Sequence, residues 1–102
     1  MKAIRGATTV AADTPEEIGG AVSELLAEIK RCNKLDEDDI VCVLFSNTAD
    51  IRSFYPAKAA REAGLSRTAL YSSLEPEIEG ALPLCIRVLL FAENCYSVRH
   101  VY

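Results

Sequence analysis

Hydrophobic positions divide this chain into one long helical stretch and several strand-like runs. Ile18, Val22, Leu25, Leu26 and Ile29 recur at helical spacing and so share one face of a helix. The start of that helix is marked chemically. Thr14 suits the N-cap, Pro15 the first helical position, and Glu17 completes a capping-box pattern with Thr14. The pattern fades near Cys32 and Asn33. A shorter helix is predicted over residues 56–63, where Pro56 precedes strong helix formers and Gly64 supplies a stop. Residues 2–10 read as a first strand. Residues 40–45 and 84–91 are continuous apolar runs of the kind covered on both faces. A short strand is expected over residues 69–72, a loop over 75–83 where Pro76, Gly80 and Pro83 break the pattern, and a last strand over 98–102.

Four or five strands with two helices make an α+β chain built on a mixed sheet. Two helices cover one face of such a sheet and leave the other bare. The runs at 40–45 and 84–91 are nevertheless apolar on both sides. The economical cover is a second copy of the chain, so self-association is expected from the pattern, without a stoichiometry.

Size and composition narrow the picture. The chain has 102 residues, read as one domain over 1–102, and no apolar run approaches the roughly 18 residues that span a bilayer. The first residues reach Gly6 and Thr8 before any secretory-type stretch, so a soluble, cytoplasmic protein without a membrane partner is expected. The formal charge of −4 argues against nucleic acid, which favours a basic face. Cys32, Cys42, Cys85 and Cys95 contain no C-x-x-C pair, and with one histidine they make a metal site improbable; reduced, structural thiols are expected.

Against this background Arg87 stands out. It interrupts the apolar run 84–91, where an enclosed guanidinium would need an anion. An internal ion pair with Glu75 or Glu77 answers that need, and on composition alone it is the favoured answer; a bound ligand answers it equally well in chemistry. Arg5 raises the same question in the first strand, where Gly6 allows close approach of backbone or ligand. Lys58 and Arg61, three residues apart, are expected to share one face of the short helix, in isolation a solvated one. His100 has no acid or nucleophile partner in the pattern and reads as structural.

Four blocks carry a resemblance: Ile4-Arg5-Gly6-Ala7-Thr8-Thr9-Val10, Pro56-Ala57-Lys58-Ala59-Ala60-Arg61, Cys85-Ile86-Arg87-Val88 and Arg99-His100-Val101-Tyr102. In content, order and near-spacing they resemble the AroH-type bacterial chorismate mutases, from Ile4 to Tyr102. The resemblance implies a homotrimer with a pseudo-α/β-barrel core and active sites between subunits. It implies conversion of chorismate to prephenate in aromatic amino acid biosynthesis, with no metal and no cofactor. It further implies that Arg87 meets the breaking ether bond and a carboxylate, that Arg5 contacts the carboxylate side, and that Glu75 accepts from the ring hydroxyl. Tyr102 falls near the pyruvyl portion, Ser72 faces the hydroxyl region, and Tyr55, Lys58 and Arg61 come from the neighbouring subunit. Tyr55 stands where the family usually has phenylalanine, and Tyr71 replaces a smaller residue. The family's C-terminal tail beyond this tyrosine is not found here, from which weaker substrate retention is expected. The alternatives are a small trimeric imine or enamine deaminase and a non-catalytic anion-binding trimer.

Overall fold

The helical pattern is realised as α1 (Pro15–Asn33), and the computed structural model describes the whole chain, Met1–Tyr102. The Thr14 hydroxyl accepts the Glu17 N–H at 3.1 Å, satisfying one of the free donors of the first turn. The reciprocal bond is absent: the Thr14 N–H donates to the Ala12 carbonyl at 3.0 Å, so the expected capping box is half formed. At the far end Lys34 adopts φ 54, and its N–H bonds to the Lys30 carbonyl to close the helix.

One sheet contains β1 (Lys2–Thr9), β2 (Ile40–Asn47), β3 (Ala69–Leu74) and β4 (Cys85–Ala92), in the order β1-β4-β2-β3. β4 runs antiparallel to both its neighbours. β2 and β3 are parallel, joined by the crossover that such a pair requires, here α2 (Pro56–Glu62). β2 and β3 run two residues further than the apolar pattern suggests, because Ser46 and Asn47 keep the ladder register with Ser73 and Leu74. A bulge at Val41 lets Ile40 and Val43 both turn inward.

The expected last strand is a correction. Residues 98–102 form only an isolated bridge, Gly6 to Val101. The cause is the buried side chain of Asn33, which takes both the Arg99 N–H (2.7 Å) and the Arg99 carbonyl (2.9 Å). With those groups engaged, no further ladder can form.

α1 and α2 lie on one side of the sheet. Their apolar faces meet Ile4, Val43, Phe45, Ile86, Val88 and Leu90 in a single core. Gly6 sets how closely α1 approaches β1. A Cβ there would stand 2.9 Å from Ile29 Cδ1 and 3.0 Å from Val88 Cγ2. The opposite face has no helix over it. It carries three cross-strand rows: Ala3–Phe91–Cys42–Ala69, Arg5–Leu89–Leu44–Tyr71 and Ala7–Arg87–Ser46–Ser73. Leu44, Leu89 and Phe91 remain half-buried there and Tyr71 is exposed, which is the bare apolar face that the pattern anticipates. All four cysteines are free thiols, with Cys85 and Cys95 buried. No helix is long and apolar enough to cross a membrane.

The start of β3 is held by Glu37, in the 3-10 turn Glu37–Asp39. Its carboxylate accepts from the N–H groups of Arg67 (2.9 Å) and Thr68 (3.1 Å), from the Thr68 hydroxyl (2.9 Å) and from the Arg67 guanidinium (3.1 Å). The Arg67 N–H is the main cause, with the others adding to it, and together they lower the carboxyl from 4.5 to about 2.

Two predictions concern stability. Gly6→Ala should lower it by about 1–3 kcal/mol, because the added methyl overpacks a closed helix–strand contact; equilibrium urea denaturation measures this, and an unchanged midpoint would refute the packing role. Because the folded Glu37 value lies below its ordinary 4.5, its contribution is complete above that pH and lost as pH falls towards about 2. The urea midpoint should therefore fall through that window, and Glu37→Gln should flatten part of the fall.

Candidate active site

β1 and β4 bring Arg5 and Arg87 onto the open face. Ala7 is opposite Arg87 and Arg5 is opposite Leu89, so the two arginines are diagonal cross-strand neighbours, about 7–8 Å apart along the backbone. β2 adds Ser46, which is opposite Arg87 on the other side. Glu75 follows directly after β3, fixed by its N–H donating to the Asn47 carbonyl at 2.9 Å. Its Oε1 accepts from the Ser46 hydroxyl and lies 3.6 Å from Arg87 Nε. Tyr102 arrives from the segment that bridges β1: the Val101 N–H donates to the Arg5 carbonyl (3.0 Å), and the Ala7 N–H to the Val101 carbonyl (2.9 Å). Arg5, Ser46, Glu75, Arg87 and Tyr102 thus line one cleft of about 340 Å³.

The expectation that Arg87 is enclosed needs correcting. Its strand is apolar, but its side chain projects from the uncovered face and is 49% exposed. The anticipated ion pair with Glu75 exists in a loose form, at 3.6 Å, and the Arg87 guanidinium donates no hydrogen bond to any other residue of the chain. Its fork therefore keeps donors available for a ligand. Two guanidinium groups against one carboxylate leave the cleft's charged side chains net positive in a chain whose formal charge is −4. Such local focusing attracts anions despite the overall sign.

The other expected residues lie elsewhere in the same chain. Tyr55 and Ser72 line a separate hollow of about 470 Å³, with Phe54, Ile51 and Arg52 among its walls. Ser72 Oγ is buried there without a hydrogen-bond partner. Tyr55 is 71% exposed. The loop leading to it is tied down by Asp13, whose carboxylate accepts from the N–H groups of Ser53 (3.0 Å) and Arg52 (3.0 Å) and from the Ser53 hydroxyl (2.8 Å). These bonds, the Ser53 N–H foremost, hold the Asp13 carboxyl below its ordinary value.

Lys58 and Arg61 are both exposed on α2, as a solvated face requires, and each also makes a contact within the chain. The Lys58 ammonium stands 5.3 Å from the centroid of the Phe54 ring. Arg61 Nη1 donates to the carbonyls of Leu65 (2.8 Å) and Thr68 (2.9 Å), bracing the connection from α2 to β3. Sequence reasoning also missed Ser46 as a cleft residue. Its signal was the strand alternation that puts it on the same face as Leu44, but the register with Arg87 is a long-range fact. His100, which had no partner in the sequence pattern, accepts the Arg5 N–H on its Nδ1 at 2.9 Å.

The family model for chorismate mutase type I matches residues 1–102. Chorismate mutase AroH of Thermus thermophilus is 41% identical over 106 aligned residues, which cover 100% of this chain and 87% of that protein. Chorismate mutase AroH of Bacillus subtilis (strain 168) is 38% identical, over 100% of this chain and 84% of that protein. Among solved structures, a chorismate mutase from Clostridium thermocellum superposes with a TM-score of 0.96 at 40% identity, covering 100% of this chain and 94% of the other. These matches leave the deaminase alternative without support. Sequence and fold agree, and the chain belongs to the chorismate mutase type I family.

Proposed function

We propose that this chain is a cytoplasmic chorismate mutase of aromatic amino acid biosynthesis, converting chorismate to prephenate in a homotrimer with active sites between subunits. The observation that carries the reading is the convergence of Arg5, Arg87, Glu75 and Tyr102 in one cleft whose charged side chains are net positive. The reaction is an intramolecular rearrangement: an ether carbon–oxygen bond breaks as a carbon–carbon bond forms, and no atom enters or leaves. The protein's task is to hold the reactive conformer and to stabilise the charge that develops.

Arg87 donates to the ether oxygen, where negative charge grows as the bond breaks, and to a substrate carboxylate. Its permanent charge and planar fork suit both. Arg5 holds the carboxylate side. Glu75, already accepting from Ser46, accepts in addition from the ring hydroxyl. Tyr102 borders the pyruvyl portion. Substrate would draw Arg87 away from its loose contact with Glu75 at little cost, since a half-exposed ion pair contributes little in water.

Two features support assembly between copies. The sheet face carrying Leu44, Leu89 and Phe91 is apolar and uncovered. Tyr55 and Ser72 line a hollow apart from the cleft of Arg5 and Arg87, so a neighbouring copy would have to supply them. In that arrangement Ser72 and Tyr55 close the substrate's far side. Lys58 and Arg61 bias the mouth towards anions, Arg61 with its Nη1 already engaged by two carbonyls.

Direct loss of chorismate absorbance should accompany formation of prephenate with the purified chain, and a well-folded protein without turnover would end this reading. Arg87→Ala should lower kcat by roughly 100-fold or more, the usual effect of removing a key donor to developing charge; a fall of only a few-fold would remove Arg87 from that role. Phe91→Glu, on the open face outside the cleft, should convert the assembly to monomers by sedimentation and abolish turnover with it. A monomer with full activity would exclude a site shared between copies.

A further inference from the structure

His100 and Asn33 occupy an irregularity in the fold beside the cleft. Gly6 and Val101 pair as a parallel bridge, with the Val101 N–H on the Arg5 carbonyl and the Ala7 N–H on the Val101 carbonyl. In a continuing parallel ladder, the next bond would run from the Arg5 N–H to the Arg99 carbonyl. That carbonyl is instead turned to Asn33 Nδ2 (2.9 Å), and Asn33 Oδ1 accepts the Arg99 N–H (2.7 Å). The Arg5 N–H is satisfied by a side chain, His100 Nδ1, at 2.9 Å. An imidazole nitrogen thus replaces a backbone carbonyl at the position where the strand breaks off.

The consequence falls on two cleft residues at once. Arg5 is on an edge strand, and its outward N–H and C=O are both engaged by residues 100–101. Tyr102 is the next residue along. Asn33 anchors the other side of the lock: it is 6% exposed, and its Nδ2 also holds the Ile29 carbonyl at 2.9 Å in the last turns of α1. We propose that His100 is a positioning residue, which by accepting the Arg5 N–H from the Asn33-anchored segment fixes Arg5 and Tyr102 relative to each other across the cleft. The role requires a neutral ring with its proton on Nε2, since only an unprotonated Nδ1 can accept. His100 touches no reacting atom in this assignment. It acts through Arg5 and Tyr102, and the assignment rests on the chorismate mutase reading for its catalytic consequence.

Substitutions of different reach separate this role from a general structural one. Asparagine carries Oδ1 on Cγ, the same atom that bears histidine Nδ1, whereas the glutamine carbonyl is one bond further out. His100→Asn should therefore keep kcat/KM within about twofold of wild type, while His100→Gln and His100→Ala should lower it by about 5- to 10-fold, chiefly through KM. His100 is exposed, so all three variants should fold with nearly unchanged melting temperatures. Amide hydrogen exchange at Arg5 and Val101 should accelerate in the Gln and Ala variants and not in the Asn variant, while α1 core amides keep their protection. Equal kcat/KM in all variants would overturn the assignment. So would an Asn variant as impaired as the Ala variant, or unchanged exchange at Arg5. A wild-type chain that leaves chorismate intact would remove the functional reading alone, and exchange at Arg5 and Val101 would then decide whether the lock exists.

Discussion

A sheet with helices on one face only is the constraint from which the rest of this structure follows. α1 and α2 close a single core against β1, β2 and β4, and Gly6 lets α1 come within contact of the strands. No helix of the chain covers the other side. That face is neither polar enough to rest in water nor covered, with Leu44, Leu89, Phe91 and Tyr71 in adjacent rows. Exposed apolar surface of this kind marks an interaction site in a soluble protein. Charged groups at the end of such a face have an advantage in recognition. They border surface that becomes dry when a partner docks, where electrostatic interactions with a bound anion are stronger than in open water.

Arg87 shows how position converts a costly residue into a useful one. Had it faced the helices, it would sit among Ile86, Val88 and Leu90, where an unpaired charge is not tolerated. One register step away it projects from the open face between Ala7 and Ser46. Glu75 stands close enough to orient it without saturating it. Ser46 holds Glu75 in turn, so the carboxylate is fixed independently of the arginine. An arrangement in which each partner is positioned by a third group suits a reaction that needs fixed dipoles rather than a nucleophile.

Much of this was legible in the chain because the signals are local. The α1 pattern, its Thr14 cap and the two apolar runs are statements about neighbours in sequence, and they were realised with boundaries shifted by a residue or two. Arg87 was visible as a charge inside an apolar run, but which face it occupied was not. Alternation cannot choose a face when both sides of the strand are apolar. The four cleft residues Arg5, Glu75, Arg87 and Tyr102 were connected by resemblance, since no local pattern links the two ends of the chain. The failures are long-range and polar. Residues 98–102 have strand-like composition, but a single buried amide 66 positions away in sequence diverts Arg99 from the ladder. Ser46 had no reason to be singled out until β4 was laid beside β2.

The polar exceptions are also what fix the site's shape. Apolar packing holds β1 and β4 together but has little to say about the angle at which a terminal segment crosses an edge strand. Hydrogen bonds are directional, and buried ones are costly to leave unmade. Asn33 therefore can specify what the core cannot: with four bonding groups to satisfy in a nearly dry position, it has few alternative geometries for Arg99. From that fixed point the chain has only one residue of slack before Val101 meets the Arg5 carbonyl. Tyr102 is consequently placed from two directions, by the end of α1 and by the edge of β1. A cleft assembled on the outermost strand of a sheet would ordinarily inherit the mobility of an edge. Here the Arg5 N–H and C=O and the Ala7 N–H are occupied, so the arginine that faces the anion stands on backbone restrained on both sides.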